Sequence, residues 1–349
     1  MEGDAVQMKR TLLVLGLLVA AGLLMIPGLS MYYEAGGGEN CTRCHEMRPA
    51  FESWRASAHT RVGCGECHGD ALTADVQFHM QNASRVRQHL AGEVAELPRI
   101  REKDIPKIQE QCVRCHRSEA SAWAMGPHAV AYKKIFLDEK HNRERELMDD
   151  CLRCHGMHFE GSIRDLVTPI NHEGPWKMVD PARADRPAVP CLACHAVHQR
   201  GIRHKKSVES PALAWYDRRS MEPVQVKFLP VPAMQDGERV VKVSPDRRQA
   251  LCYQCHAPLA TRQIGSGDDR TPKGVHEGLS CLACHDNHRQ TAIASCATCH
   301  PRLSNCGLDV EQMDTTFKDL KSKHNVHWVR CGDCHTKGVP PRKVRSLAD

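Results

Sequence analysis

Aromatic residues are scarce in this chain of 349 residues, which has only 6 Phe, 5 Tyr and 5 Trp. A chain of this length would ordinarily fold around apolar cores rich in large side chains. The hydrophobic fraction is an ordinary 41%, but part of it is cysteine and part lies in one N-terminal run. Little is left for a core made of protein side chains alone. Long apolar runs are equally rare: there is one, so a single membrane anchor is the most the sequence offers. Charge of one sign is lacking too, with 48 Lys and Arg against 42 Asp and Glu, a formal +6. That excess gives no basis for reading the chain as a nucleic-acid binder.

Cysteine and histidine are abundant instead, at 19 and 22 residues. Eighteen of the cysteines fall in nine C-x-x-C pairs: Cys41/Cys44, Cys64/Cys67, Cys112/Cys115, Cys151/Cys154, Cys191/Cys194, Cys252/Cys255, Cys281/Cys284, Cys296/Cys299 and Cys331/Cys334. Each pair is followed at once by a histidine: His45, His68, His116, His155, His195, His256, His285, His300 and His335. C-x-x-C-H is the attachment signature of c-type haem. Two thiols on one helical turn add to the two vinyl groups of a haem, and the next imidazole reaches the iron. Zinc knuckles and disulfides also use paired cysteines, but neither needs a histidine after every pair. The sequence therefore predicts nine covalently bound haem c groups.

Several consequences follow for the fold. Each haem is an apolar slab that replaces missing core. The expected class is mainly α with much irregular loop, built around nine haems, with one N-terminal transmembrane helix and a small β-hairpin near 224–243. The expected organisation is an anchor over 1–33, a dihaem module over 34–110, haems 3 to 5 over 111–204, a haem-free linker or hairpin over 205–248, and haems 6 to 9 over 249–349. Covalent attachment occurs outside the cytoplasm, so the motifs must be exported. Two propionates on each haem turn the formal +6 negative, which makes the many Arg and Lys propionate partners and solvated surface.

The apolar run spans Thr11 to Tyr33, enough residues to cross a bilayer that needs about 20. Lys9 and Arg10 flank it on one side and Tyr32 and Tyr33 on the other, which puts the N-terminus inside. A cleaved signal peptide is the rival reading. The long run and the lack of an A-x-A site favour a retained anchor in the cytoplasmic membrane, with the haem domain on the periplasmic side. Gly36 to Gly38 then form a short hinge, so the first haem sits close to the bilayer, at the depth of a quinol headgroup.

CTRCHEM after an anchor, then Trp54, Ser57 and His59 as W-x-x-S-x-H, then CGECH, resemble the NapC/NirT group of membrane-anchored quinol dehydrogenase cytochromes over roughly residues 8–70. The resemblance implies that Met47 ligates haem 1 and that a quinol is oxidised beside it. If the chain is catalytic, that is where.

Remaining histidines are candidates for the far side of each iron. His158, His198 and His288 extend their motifs to C-x-x-C-H-x-x-H, and a residue one helical turn on points away from its own iron toward a neighbouring haem. His128 and His172 lie in loops with no other evident task. His59, His276 and His327 precede the Cys64, Cys281 and Cys331 motifs by similar gaps, and His324 lies beside the last of them. Residues 74–97, which include His79 and His89, have helix-forming composition up to Pro98. The stretch from Val224 to Val243 alternates around Asp236-Gly237, as a hairpin would. It divides two haem modules, covers haem edges, or docks a partner. The odd Cys306 reads as a buried small residue or an iron ligand.

Three functional readings remain open. The first is an electron carrier between the quinol pool, or a membrane redox complex, and a periplasmic or extracellular redox partner. The second is a reductase or oxidase of small nitrogen or sulfur compounds with one open haem. The third is a subunit of a respiratory complex. Candidate ligands are numerous enough to fill every iron on both sides, which favours the first.

Overall fold

The computed structural model describes residues 2–37, 39–43, 47–68, 84, 86–92, 102–156, 158–195, 233–257, 269–289, 296–299, 326–334 and 338. The architecture is mostly short helices and irregular loops, with two small sheets. The chain divides into two compact units, residues 1–116 with 195–200, and residues 117–194 with 201–349.

The first unit begins with α1 (Glu2–Ala35), 34 residues long. Leucine, alanine and valine carry the helix. Over Gln7–Met25 mean hydropathy is 1.8 and nothing is buried, so the helix is long and apolar enough to cross a membrane. Leu12, Leu13, Leu17 and Leu18 lie around its circumference and are all exposed. An apolar surface on every side suits lipid rather than water. The helix end is tied to the turn Glu39–Arg43: the Arg43 guanidinium lies 5.5 Å from the Tyr32 ring centre, and Asn40 Nδ2 donates to the Tyr32 carbonyl at 2.5 Å. Then come α2 (Arg48–Arg55), with Pro49 in its first turn, α3 (Cys64–His68), and the helix Ile105–Cys115. Of the expected helix over 74–97, residues 84 and 86–90 are helical and the remainder lies almost wholly outside the described residues.

The second unit corrects one expectation. Tyr132, Phe136, Leu147, Leu152, Phe159, Ile163, Leu166, Val167, Trp176, Met178 and Ala188 form a continuous buried core of protein side chains. Four of the 16 aromatic residues, Tyr132, Phe136, Phe159 and Trp176, stand in this one cluster. Short elements wrap it: helix Ile163–Leu166, started by a Ser162–Asp165 capping box, and the antiparallel pair β1 (Val167–Thr168) and β2 (Lys177–Met178). The core encloses the Leu152–His155 motif helix, whose Leu152 is fully buried.

A second, smaller core joins β3 (Met234–Asp236) and β4 (Arg239–Val241) to the motif helix Tyr253–His256. Met234, Val241, Tyr253 and Ala257 are its buried members. Among the described residues the hairpin spans Met234–Val241 and turns at Gly237–Glu238, with Gly237 at φ 65° supplying the left-handed conformation. Residues 224–232 lie outside the described residues. Lys273 Nζ reaches Asp236 at 2.8 Å, and Arg239 Nη1 reaches both Glu277 oxygens at 2.8 Å. The hairpin is thus packed on one motif and ion-paired to the segment leading into the next.

Candidate functional site

Three histidine pairs organise the site. The rings of His59 and His116 are 5.9 Å apart at 81°, those of His128 and His256 5.9 Å apart at 24°, and those of His285 and His327 6.1 Å apart at 5°. Each pair joins the histidine of one C-x-x-C-H motif to a histidine remote in sequence. Two imidazoles bound on opposite sides of one iron, each nitrogen at about 2 Å, have ring centres about 6 Å apart, whereas neighbouring ligands of a tetrahedral metal approach to about 5 Å. The residues therefore fit a haem iron held from both sides. Among the described residues no group of three or more His, Cys, Asp or Glu gathers as a compact metal site.

Local structure aims each remote ring. Trp54 Nε1 donates to the Val62 carbonyl at 3.0 Å, Ser57 Oγ donates to the Trp54 carbonyl at 2.7 Å, and the His59 amide donates to Ser57 Oγ at 3.1 Å. W-x-x-S-x-H is therefore a closed loop that carries His59. His327 is held by a backbone ladder: the Lys273 amide donates to the His327 carbonyl at 2.7 Å, and the Val275 amide to Val329 at 2.9 Å. Gly274, at φ 67°, is needed there, because a Cβ would collide with the Val329 carbonyl. Burial, followed by the nearby His285, Arg270, His276 and His256, pushes the His327 imidazole down to about 4. It is neutral at physiological pH, with a lone pair to give.

Three further histidines have one ring nitrogen anchored or buried in the manner of a ligand. His172 Nδ1 faces the Asn142 carbonyl at 3.0 Å and His276 Nδ1 the Val326 carbonyl at 2.9 Å. A ligand histidine usually donates from one nitrogen to fix the lone pair of the other. His158 hydrogen-bonds the Leu192 backbone, while its buried Nε2 has no hydrogen-bond partner; burial lowers its pKa. His288 sits in a turn where its amide donates to Asp286 at 2.9 Å. Met47 stands immediately before α2, half-buried.

The motifs also meet one another. Desolvation, then the neighbouring Cys112 and Cys115, push the Cys67 thiol up. In the second unit the nearby Cys154, with burial, holds the Cys255 thiol well up. Cys252 and Cys281 lie near each other, which holds the Cys252 thiol down and pushes the Cys281 thiol up. Cys194 keeps residue surface in solvent, yet its thiol is crowded, and desolvation with Cys252 nearby raises it to about 11. Cys64, Cys151, Cys191, Cys284, Cys299 and Cys331 are described, as are His68, His155 and His195, the His155 ring lying 6.5 Å from Phe136. Cys44, His45, His198, His300, His324 and His335 lie outside the described residues, with the side chains of Cys41, Cys296 and Cys334.

Sequence reasoning missed Gly274, Gln249 and Arg153. Gln249 is fully buried and accepts from the Cys281 amide at 3.3 Å. Arg153 is 7% exposed inside the motif CLRCH, and its Nη2 donates to the Gln254 carbonyl at 3.4 Å. A charged residue between two attachment cysteines is the signal that was available for it.

Residues 5–160 match the family model described as NapC/NirT cytochrome c family, N-terminal region, and residues 240–301 match that of cytochrome c7 and related cytochrome c. This is a multihaem c-type cytochrome. Its N-terminal similarity extends past residue 70 through the Cys112 and Cys151 motifs. The cytochrome is 27% identical over 161 residues to the cytochrome c-type protein NrfH of Wolinella succinogenes, an alignment covering 44% of this chain and 87% of that relative. No solved structure matches the cytochrome.

Proposed function

We propose that this cytochrome carries nine haems and conducts electrons from the quinol pool, or a membrane redox complex, to a periplasmic or extracellular redox partner. The observation that carries the reading is the set of three histidine pairs at about 6 Å. In this assignment His59 and His116 hold haem 3, His128 and His256 hold haem 6, and His285 and His327 hold haem 7. A pair of histidines leaves no axial position for a substrate, which favours conduction over chemistry at those irons. Haem supplies a reversible one-electron couple.

The other residues divide the work. Each C-x-x-C pair anchors one macrocycle and fixes its orientation. α1 holds the domain at the cytoplasmic membrane with its N-terminus inside. The Tyr32–Arg43 and Tyr32–Asn40 contacts tie the turn Glu39–Arg43, where the first motif begins, to the end of that helix, which supports a site within reach of a lipid-borne donor. Met47 would hold the first iron, and a quinol would bind beside it. His158, His172, His198, His276, His288 and His324 are the remaining axial candidates.

The test uses the detergent-solubilised holoprotein with its anchor. Haem content per chain is measured first, with nine expected. Stopped-flow reduction by a menaquinol analogue should then be fast and blocked by a quinone-site inhibitor. Dithionite reduction of every haem without any reduction by quinol would overturn the quinol assignment.

A further inference from the structure

The Tyr253–His256 helix lies against more than its neighbours in chain order. It packs on the Leu152–His155 helix, where Arg153 donates to the Gln254 carbonyl at 3.4 Å. Just before it in the chain, buried Gln249 accepts from the Cys281 amide at 3.3 Å and from the Cys281 thiol at 3.7 Å. Cys194 approaches both Cys252 and Cys255. Haem edges follow their thioether bonds, so attachment sites that pack against one another bring their macrocycles together.

Arg153 adds a charge to this place. It is 7% exposed, Gln254 is 1% exposed, Nε has no hydrogen-bond partner, and no carboxylate pairs with the guanidinium among the described residues. A buried cation without a counter-charge favours any negative charge placed beside it. An added electron is such a charge.

We propose that the Cys252–His256 attachment site is a junction. It meets the sites at Cys151–His155, Cys191–Cys194 and Cys281–His285, and Arg153 raises the electron affinity of the two sites it separates. The proposal rests on the nine-haem reading and deepens it. Each transfer oxidises one iron as it reduces another, with no bond made or broken. Electrons arriving at the Cys151 site would reach the Cys281 site directly through the junction, and the Cys191 site would be a branch rather than an obligatory step.

The test is a potentiometric titration of holoprotein, followed optically and by EPR, comparing the parent with Arg153→Met and Arg153→Lys. Two reduction steps should move to lower potential together in Arg153→Met and stay near their parent values in Arg153→Lys. Movement of one step, or of none, would overturn the junction. Haem content by mass in the same samples tells the two readings apart: a Cys252–Cys255 motif without haem would remove both. Should Arg153→Met fold poorly, anomalous X-ray scattering from the parent locates the irons. Support is the iron at Cys252–His256 having those at the Cys151, Cys191 and Cys281 sites as its nearest neighbours. Finding the Cys151 iron remote from it would overturn the proposal.

Discussion

The imidazoles of His128 and His256 face each other at 5.9 Å and 24°, although one belongs to the 3-10 turn Pro127–Ala129 and the other closes the C-x-x-C-H of a distant motif. Such a contact crosslinks the middle of the chain to its last third. His128→Met should leave the haem content unchanged and replace one nitrogen with a thioether. The reduction potential of one haem should then rise by on the order of 0.1 V, a fraction of the ~0.8 V that axial ligands span. Redox titration checks the rise, and a thioether-to-iron charge-transfer band in the oxidised spectrum checks its origin. No new band would mean that His128 does not reach iron.

Ring orientation should be visible in spectra. The His59 and His116 planes stand at 81°, those of His285 and His327 at 5°. Crossed ligand planes leave two iron d orbitals nearly equal in energy and give a strongly anisotropic low-spin EPR signal, while parallel planes give a rhombic one. His59→Met should remove a strongly anisotropic signal and spare the rhombic set. Loss of a rhombic signal instead would contradict the pairing.

Ser57→Ala tests the loop that carries His59. Ser57 Oγ makes two hydrogen bonds there, to Trp54 and from the His59 amide. Their loss should cost about 1–2 kcal/mol locally. The expected sign is a broadened signal from the His59–His116 haem in frozen solution, with the other signals unchanged.

Gly274→Ala should be far more damaging. A left-handed backbone costs a non-glycine residue about 1–2 kcal/mol, and the Cβ would also strike the Val329 carbonyl. Thermal melting should show a loss above ~2 kcal/mol, together with a high-spin signal as His327 leaves its place.

Acid should loosen the hairpin. Lys273 and then Arg239 hold the Asp236 carboxyl below its ordinary value of 3.8, and Arg239 with the Lys242 amide holds Glu277 below 4.5. Carboxyls depressed in the folded state contribute stability above their unfolded values, and that contribution is lost as pH falls through the folded ones. Melting temperature should therefore drop below about pH 4.5, and Glu277→Gln should flatten part of that slope. An unchanged slope in the variant would show that these ion pairs do not set acid stability.

Much of this chemistry was legible in the sequence because C-x-x-C-H is strictly local: thiols and imidazole must share one turn. His128 was also recognisable as a candidate because it lay in a loop without another evident task, and His59 and His327 because each precedes the next motif by a similar gap. Their partners were not legible. Nothing near His128 names His256, because the pairing depends on how the two chain segments pack. Composition misled about the core for a similar reason: an average over the chain cannot reveal that Tyr132, Phe136, Phe159 and Trp176 converge on one cluster. Gly274 and Arg153 needed the contacts themselves, a carbonyl where a Cβ would go and a guanidinium between two helices.

The neighbouring thiols bear on how the protein is made. Cys154 lies near Cys255 and Cys252 near Cys281, each partner belonging to a different motif. In an oxidising compartment, thiols at such range form disulfides across motifs. On the proposed periplasmic placement, export would set a race in which attachment must reach each pair before the chain collapses around it. Chain exported under haem starvation should accumulate with locked, alkylation-resistant cysteines that later haem supply does not rescue unless a reductant comes first. Full rescue by haem alone would mean that attachment outlasts folding.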